Sequence, residues 1–130
     1  PREGIYFNES GINNSSLVLK LNFKDVSILF TGDIEKEAER LLCEDEVNLD
    51  ADVLKVAHHG SSTSSTEEFL DSVTPDVAVI SVGKNNFGHP SEEVLQRMES
   101  KGIYVLRTDI SGAVVLKTYG EKIRIRPTVP

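Results

Sequence analysis

The sequence predicts an α/β domain: a mixed sheet with flanking helices. Two short runs, residues 51–57 and 77–82, are apolar almost throughout, as strands covered on both faces are. Around them the hydrophobic period lengthens from two to about 3.6, the pattern of helices that join parallel strands. Near the end of the chain Ile123 and Ile125 alternate with Lys122, Arg124 and Arg126, which leaves one face of a strand wet.

In chain order, residues 1–16 carry Gly4, Gly11 and the small polar run Asn13-Asn14-Ser15-Ser16, and read as a loop. Residues 17–21 and 26–30 are strand-like, and the polar turn Lys24-Asp25 makes them a hairpin. Ile34, Ala38, Leu41 and Leu42 then recur at helical spacing, with Glu35, Lys36, Glu39 and Arg40 on the other faces. After a loop at 45–50 comes the strand at 51–57. Ser65 and Glu68 have capping-box spacing before a short helix with Phe69, Leu70 and Val73 inward, which Pro75 stops. The strand at 77–82 and a loop at 83–90 follow. Ser91 caps a third helix with Val94, Leu95 and Met98 inward, and Gly102 ends it. Strands at 103–107, 113–117 and 122–126 close the chain. This order makes the middle strands parallel through right-handed crossovers, with antiparallel hairpins at the flanks. No repeat, linker or low-complexity tract divides residues 1–130, which read as a single domain.

The chain has 130 residues, 38% apolar and 27% charged, enough to bury a core and ordinary for a globular protein. No apolar run approaches the ~18 residues that cross a bilayer, and no signal peptide pattern is visible. The single cysteine excludes an intramolecular disulfide; Cys43, beside Leu41 and Leu42, reads as a packed core thiol. A net charge of −7 argues against non-specific nucleic-acid binding by the chain alone, and no basic stripe with interleaved aromatics is visible. Divalent cations held at an acidic site would reverse the local field and admit an anionic substrate. A glycine-rich phosphate loop, a Gly-x-Ser-x-Gly elbow and a CxxC pair are absent from the sequence.

Candidate chemistry gathers where strands end. Asp33 closes the run Ser27-Ile28-Leu29-Phe30-Thr31-Gly32, where it reads either as a metal ligand or as the N-cap of the next helix. His58 and His59 end the 51–57 strand. Imidazole is the commonest side-chain metal ligand, but adjacent residues on an extended strand point to opposite faces, so unless the chain bends at Gly60 one is expected to ligate and the other to orient a neighbour or contact the leaving group. His89, in the loop before the third helix, reads as a substrate-binding or general-acid residue at the same rim, or as a loop contact. Asn14, Ser15 and Ser16 read as substrate contacts or turn formers. Thr108-Asp109-Ile110-Ser111-Gly112 reads as a structural turn. The residues alone give a rim with two or three metal ligands.

Five motifs add a resemblance. Asn14-Ser15-Ser16-Leu17-Val18-Leu19, Phe30-Thr31-Gly32-Asp33, Ala51-Asp52-Val53-Leu54-Lys55-Val56-Ala57-His58-His59-Gly60-Ser61, Ile80-Ser81-Val82-Gly83-Lys84-Asn85-Asn86 with Gly88-His89-Pro90, and Arg107-Thr108-Asp109 with Gly112 occur in this order. In this the chain closely resembles the C-terminal metallo-β-lactamase-like domain of ComEC-type DNA-uptake competence proteins, over nearly its whole length.

The resemblance implies half of a metallo-β-lactamase αβ/βα sandwich, the C-terminal half. It implies two divalent metal ions in the complete domain, Zn or Mn, with Asp33 bridging them and His58 or His59 on one of them. His89 would serve catalysis near the leaving oxygen, and Asn14, Ser15 and Ser61 would bind substrate. The family's His-x-(His/Asp)-x-Asp-His motif is not in this sequence, and no histidine precedes His58. Each ion would then have one or two ligands here, fewer than a catalytic centre needs, so the chain alone is expected to be inactive.

The function so implied is a metal-dependent nuclease in bacterial DNA uptake, acting on the strand that is not taken up. The alternative is a non-catalytic DNA-guiding or docking module on the same scaffold. The implied partners are single-stranded DNA, the membrane channel portion of the same parent chain and, for the isolated half, a second copy. The implied location is a soluble domain of a bacterial cell-membrane protein.

Overall fold

Lys24 and Asp25 turn the chain between β1 (Leu19–Phe23) and β2 (Val26–Phe30), which pair antiparallel with Leu21 opposite Ile28. The computed structural model describes residues 11–45 and 47–129, so the loop reading of 1–10 lies outside the described residues. After α1 (Lys36–Glu44), β3 (Val53–Lys55) lies parallel to β2; α2 (Glu67–Val73) leads to β4 (Val77–Ile80), and α3 (Glu92–Ser100) to β5 (Tyr104–Arg107). The five strands run in the order β1-β2-β3-β4-β5, with every pair but the first parallel. A one-turn helix, α4 (Thr108–Ser111), precedes a separate antiparallel hairpin of β6 (Val114–Thr118) and β7 (Ile123–Pro127).

Strand alternation divides the core. On one sheet face Leu29, Leu54, Ala78 and Ile80 pack with Ala38 of α1, Phe69, Leu70 and Val73 of α2, and Val94 and Met98 of α3. Burying a side chain such as Leu54 or Leu70 contributes about 1.5–3 kcal/mol. On the opposite face Ile28, Val53 and Val79 lie under Val114, Leu116, Ile123 and Ile125 of the hairpin. Val115, Lys117, Arg124 and Arg126 alternate with these and are exposed.

Glu39 of α1 is fully buried. Its carboxylate accepts from Ser65 N and Thr66 N, while Arg97 of α3 donates to Ser64 O and Ser65 O. One acidic side chain therefore fixes the loop before α2, and Arg97 binds that loop to α3.

The mixed sheet and flanking helices agree with the sequence reading; four local expectations differ. Asp33 is not a helix cap. Ile34 is drawn into the core and α1 begins at Lys36; Glu35 N donates to Asn14 Oδ1 (2.7 Å) and Lys36 N to Thr63 O (2.9 Å). Nor is Ser65 the cap of α2, because Ser65 takes a left-handed φ of 55° and Thr66 accepts from Phe69 N instead. The strand expected over 51–57 stops at Lys55, since Ala57–Gly60 folds into a 3₁₀ turn. The Thr108 region is a one-turn helix rather than an open turn, and its Thr108 hydroxyl donates to Val82 O. Cys43 packs against the core with Sγ 3.5 Å from Ser72 Oγ.

Candidate metal centre at the strand ends

β2 and β3 end side by side, and each delivers its polar residues at the carboxyl end of a parallel strand, where open α/β sheets bind ligands. The Gly32-Asp33 turn after β2 is held from both sides. Asp33 N donates to Ser16 Oγ (3.0 Å) and His58 N donates to Gly32 O (3.1 Å). Gly32 has a φ of 56°, and a Cβ there would lie 2.7 Å from Ser16 Cβ, so only glycine admits this approach. With its backbone fixed and no cap to make, the Asp33 side chain stays 45% exposed.

The chain bends at the histidines themselves. His58 and His59 both take left-handed φ values, 47° and 55°, a conformation that costs L residues about 1–3 kcal/mol each and that gathers at functional sites. The opposite-face expectation for an extended strand therefore does not apply. His59 Nδ1 lies 2.6 Å from Ser81 O, and because a carbonyl only accepts, Nδ1 carries the hydrogen. The lone pair is left on Nε2, 3.9 Å from Asp33 Oδ1. That is too long for a hydrogen bond. It lies within the span of two donors on one ion, each bonded at about 2.0–2.2 Å. A ligating histidine with its other nitrogen tied to a backbone carbonyl is the usual supporting arrangement at metal sites.

His58 turns to the other side. Its Nδ1 lies 3.2 Å from Glu35 Oε1, at an angle outside hydrogen-bond geometry. Glu35 Oε1 accepts from the Thr63 hydroxyl (3.0 Å), which in turn lies 3.0 Å from Ser61 Oγ. The His89 ring lies 5.6 Å from that of His58 and stacks on Phe87. Burial, reinforced by His58 and His59, holds the His89 pKa below the ordinary histidine value, so the ring is neutral at neutral pH. Asn85 shapes its loop: Oδ1 accepts from Phe87 N and His89 N, and Nδ2 donates to Gly83 O and His89 O.

Asp33, His58, His59 and His89 are thus brought to one rim. The three substrate-binding candidates make hydrogen bonds within the chain, Asn14 and Ser61 buried and Ser15 exposed. Asn14 is buried with its carboxamide oxygen on Glu35 N, Ser15 Oγ donates to Gly11 O, and Ser61 is buried against Thr63. Sequence reasoning missed two residues. Glu35 looked like a wet helix position. Lys55 interrupted an apolar run, which was its one signal; it donates to Val56 O beside Asp33, and its burial holds the amine pKa below the usual lysine value.

The donor chemistry fits an ion in part. Asp33 Oδ1 and His59 Nε2 offer one hard oxygen and one imidazole, the ligands zinc and its neighbours accept. Two buried ring nitrogens nearby, His58 Nδ1 and His89 Nδ1, lack a hydrogen-bond partner among the described residues. Also among the described residues, no three His, Cys, Asp or Glu side chains converge closely enough to hold an ion unaided.

The family model of the metallo-β-lactamase superfamily matches residues 10–84, more than half of the chain. The chain belongs to the metallo-β-lactamase superfamily. Its mixed sheet with flanking helices is half of that family's sandwich. It is 48% identical to ComE operon protein 3 of Bacillus subtilis over 78% of its length, and 43% identical to competence protein ComA of Neisseria gonorrhoeae over 78%. Recombination protein 2 of Haemophilus influenzae is 35% identical over 88%. The chain spans only 13–15% of the length of these relatives.

Gly60 fixes the distance between the two histidine loops. Its φ is 81°, Ser91 N donates to its carbonyl, and an added Cβ would lie 2.6 Å from Pro90 Cβ. Gly60→Ala is expected to lower stability by about 2–4 kcal/mol, combining a left-handed penalty with overpacking. Urea denaturation checks this; a loss below about 0.5 kcal/mol would show that Pro90 yields freely.

Proposed function

We propose that this superfamily member contributes one half of a metal-dependent nuclease centre used in bacterial DNA uptake. The observation that carries the reading is the Asp33–His59 pair: two donors 3.9 Å apart at neighbouring strand ends, with the histidine already locked in the tautomer that faces the aspartate. The names of its relatives, competence proteins among them, supply the biological setting. When bound, two Zn or Mn ions would polarise a phosphodiester and supply a hydroxide at neutral pH.

The chain's own residues have the following parts. Asp33 and His59 hold metal, and His58, backed by Glu35, completes the rim from the other side. Neutral His89 donates its one N–H to a phosphate oxygen beside the leaving group. Asn14, Ser15 and Ser61 shape the loops that carry these groups. The remaining ligands come from another segment of the parent chain, whose channel portion lies in the cell membrane. No helix among the described residues is long and apolar enough to cross a membrane. The test is cleavage of a single-stranded oligonucleotide by the complete domain with Mn²⁺ or Zn²⁺. Cleavage lost on chelation and restored by metal supports the reading; cleavage that survives chelation overturns it.

A second reading, a non-catalytic DNA-guiding module, is favoured by the lack of a third convergent ligand among the described residues. Normal strand binding by a complete domain that never cleaves would select it.

Pairing places Leu19 beside Phe30 and Leu21 beside Ile28, so β1 carries Leu19, Leu21 and Phe23 along the sheet face that the hairpin covers elsewhere. All three are exposed, as is Phe30. We propose that the other half of the sandwich covers this strip in the parent protein, and that a second copy does so in the isolated chain. Sedimentation is expected to show a dimer that Leu21→Asp disperses; a monomer at high concentration contradicts this.

A further inference from the structure

The fold assembles a cationic face that the linear sequence conceals. In the β6–β7 hairpin Val114, Leu116, Ile123 and Ile125 turn to the sheet, so Lys117, Arg124 and Arg126 point outward and are exposed, with Lys122 beside them in the turn. Lys117 and Arg124 are directly opposite each other in register. Like charges in that position destabilise a ladder, and among the described residues none of Lys117, Lys122, Arg124 and Arg126 forms an ion pair that would offset them. Four cations face one carboxylate, Glu121, over 113–129 of a chain whose net charge is −7.

Aromatic rings join this face. Tyr119 is 73% exposed, with Lys117 Nζ 5.4 Å from its ring centroid. Asp25 N donates to Gly120 O, which brings the β1–β2 turn to the hairpin tip. That turn adds Lys24, 5.8 Å from the half-exposed ring of Phe23, and a second carboxylate, Asp25. At its other end the hairpin is anchored to α4 through Val129 N and Ser111 O. Thr108, which opens α4, holds Val82 next to the Ser81 carbonyl that fixes His59. The cationic ladder therefore starts near the metal-site rim and leads away from it.

We propose that the outer face of the β6–β7 hairpin binds single-stranded DNA. Arg126, Lys117, Arg124 and Lys122 take successive phosphates, and Tyr119 stacks a base on the ring face that Lys117 leaves open. Along one strand Arg124 and Arg126 are about 6.8 Å apart, a ladder that an extended polyanion can follow. The acidic remainder of the chain does not cancel this surface, because charges beyond about 8 Å are largely screened at physiological ionic strength. The exposed aromatic ring favours a strand with unpaired bases over a duplex or a lipid surface.

The proposal rests on the nucleic-acid reading above, and its failure is separable from that of the metal site. The test is fluorescence anisotropy of a labelled oligothymidylate with the full 130-residue chain in EDTA, at several salt concentrations. Lys117→Glu with Arg124→Glu is expected to weaken binding at least about tenfold and to reduce the log–log salt slope by about 1.4. The charge-matched pair Arg40→Glu with Lys101→Glu, on the helix side, should leave both within twofold. Tyr119→Ala, which leaves the ladder's charge intact, should weaken binding to the single strand roughly 5- to 150-fold and to a duplex little. EDTA removes any metal, so retained strand binding by this chain beside failed cleavage by the complete domain indicts only the metal site. Equal loss in the helix-side pair, duplex binding as tight as single-strand binding, or capture of phosphatidylglycerol vesicles without strand binding would each overturn the proposal.

Discussion

Asp33→Ala is expected to abolish DNA cleavage by the complete domain and to leave the fold intact. The loss should exceed the 10- to 100-fold typical of residues that merely support a ligand, because Asp33 supplies the hard oxygen of the pair itself. Stability should move by no more than about 0.5 kcal/mol, the usual range for an exposed side chain without a structural duty. Asp33 fits that description: its backbone is held through Ser16, α1 is started by Asn14 and Thr63, and its carboxylate is nearly half exposed. Cleavage assays with thermal melts check both halves. Retained cleavage with normal metal content would remove Asp33 from the centre; a large drop in melting temperature would show a structural duty.

Glu39→Ala is expected to have the largest effect on stability, about 3–5 kcal/mol. It strands the buried N–H groups of Ser65 and Thr66 and opens a cavity under the loop before α2. Burial raises the Glu39 pKa above its ordinary 4.5 despite the backbone hydrogen bonds that oppose the shift. The sign follows from linkage. Between pH 4.5 and the higher folded value the native state holds a proton that the unfolded chain has released, so this contribution falls as pH rises. The difference between parent and Glu39→Ala should therefore be largest below pH 4.5 and narrow above it. Urea melts across that range test this, and a difference that widens with pH would reverse the assignment.

The architecture was legible because the hydrophobic period changes where the elements change. Val77, Ala78, Val79 and Ile80 announce a strand covered on both faces, and the alternation around Ile123 announces one with a wet face. The rim residues were legible because each ends or follows an apolar run. Their arrangement was not. Gly60 marked a possible bend but not that His58 and His59 would both be left-handed, since His58 N is held by the distant Gly32 O. The start of α1 went to Asn14 and Thr63, more than 20 residues away in either direction, so a correct local preference for aspartate caps misled. The cationic face escaped notice because its residues are spaced by alternation in β7 and joined to Lys117 only by cross-strand register.

Whether Asp33 and His59 bind an ion together is read by titrating the chain with Zn²⁺ and Mn²⁺ while following the three histidine rings by NMR. His59 is expected to respond first, through Nε2, with Nδ1 still protonated toward Ser81 O, and Asp33→Ala is expected to remove the response. A His59 ring silent below millimolar metal, or a response unchanged in Asp33→Ala, would contradict this pairing.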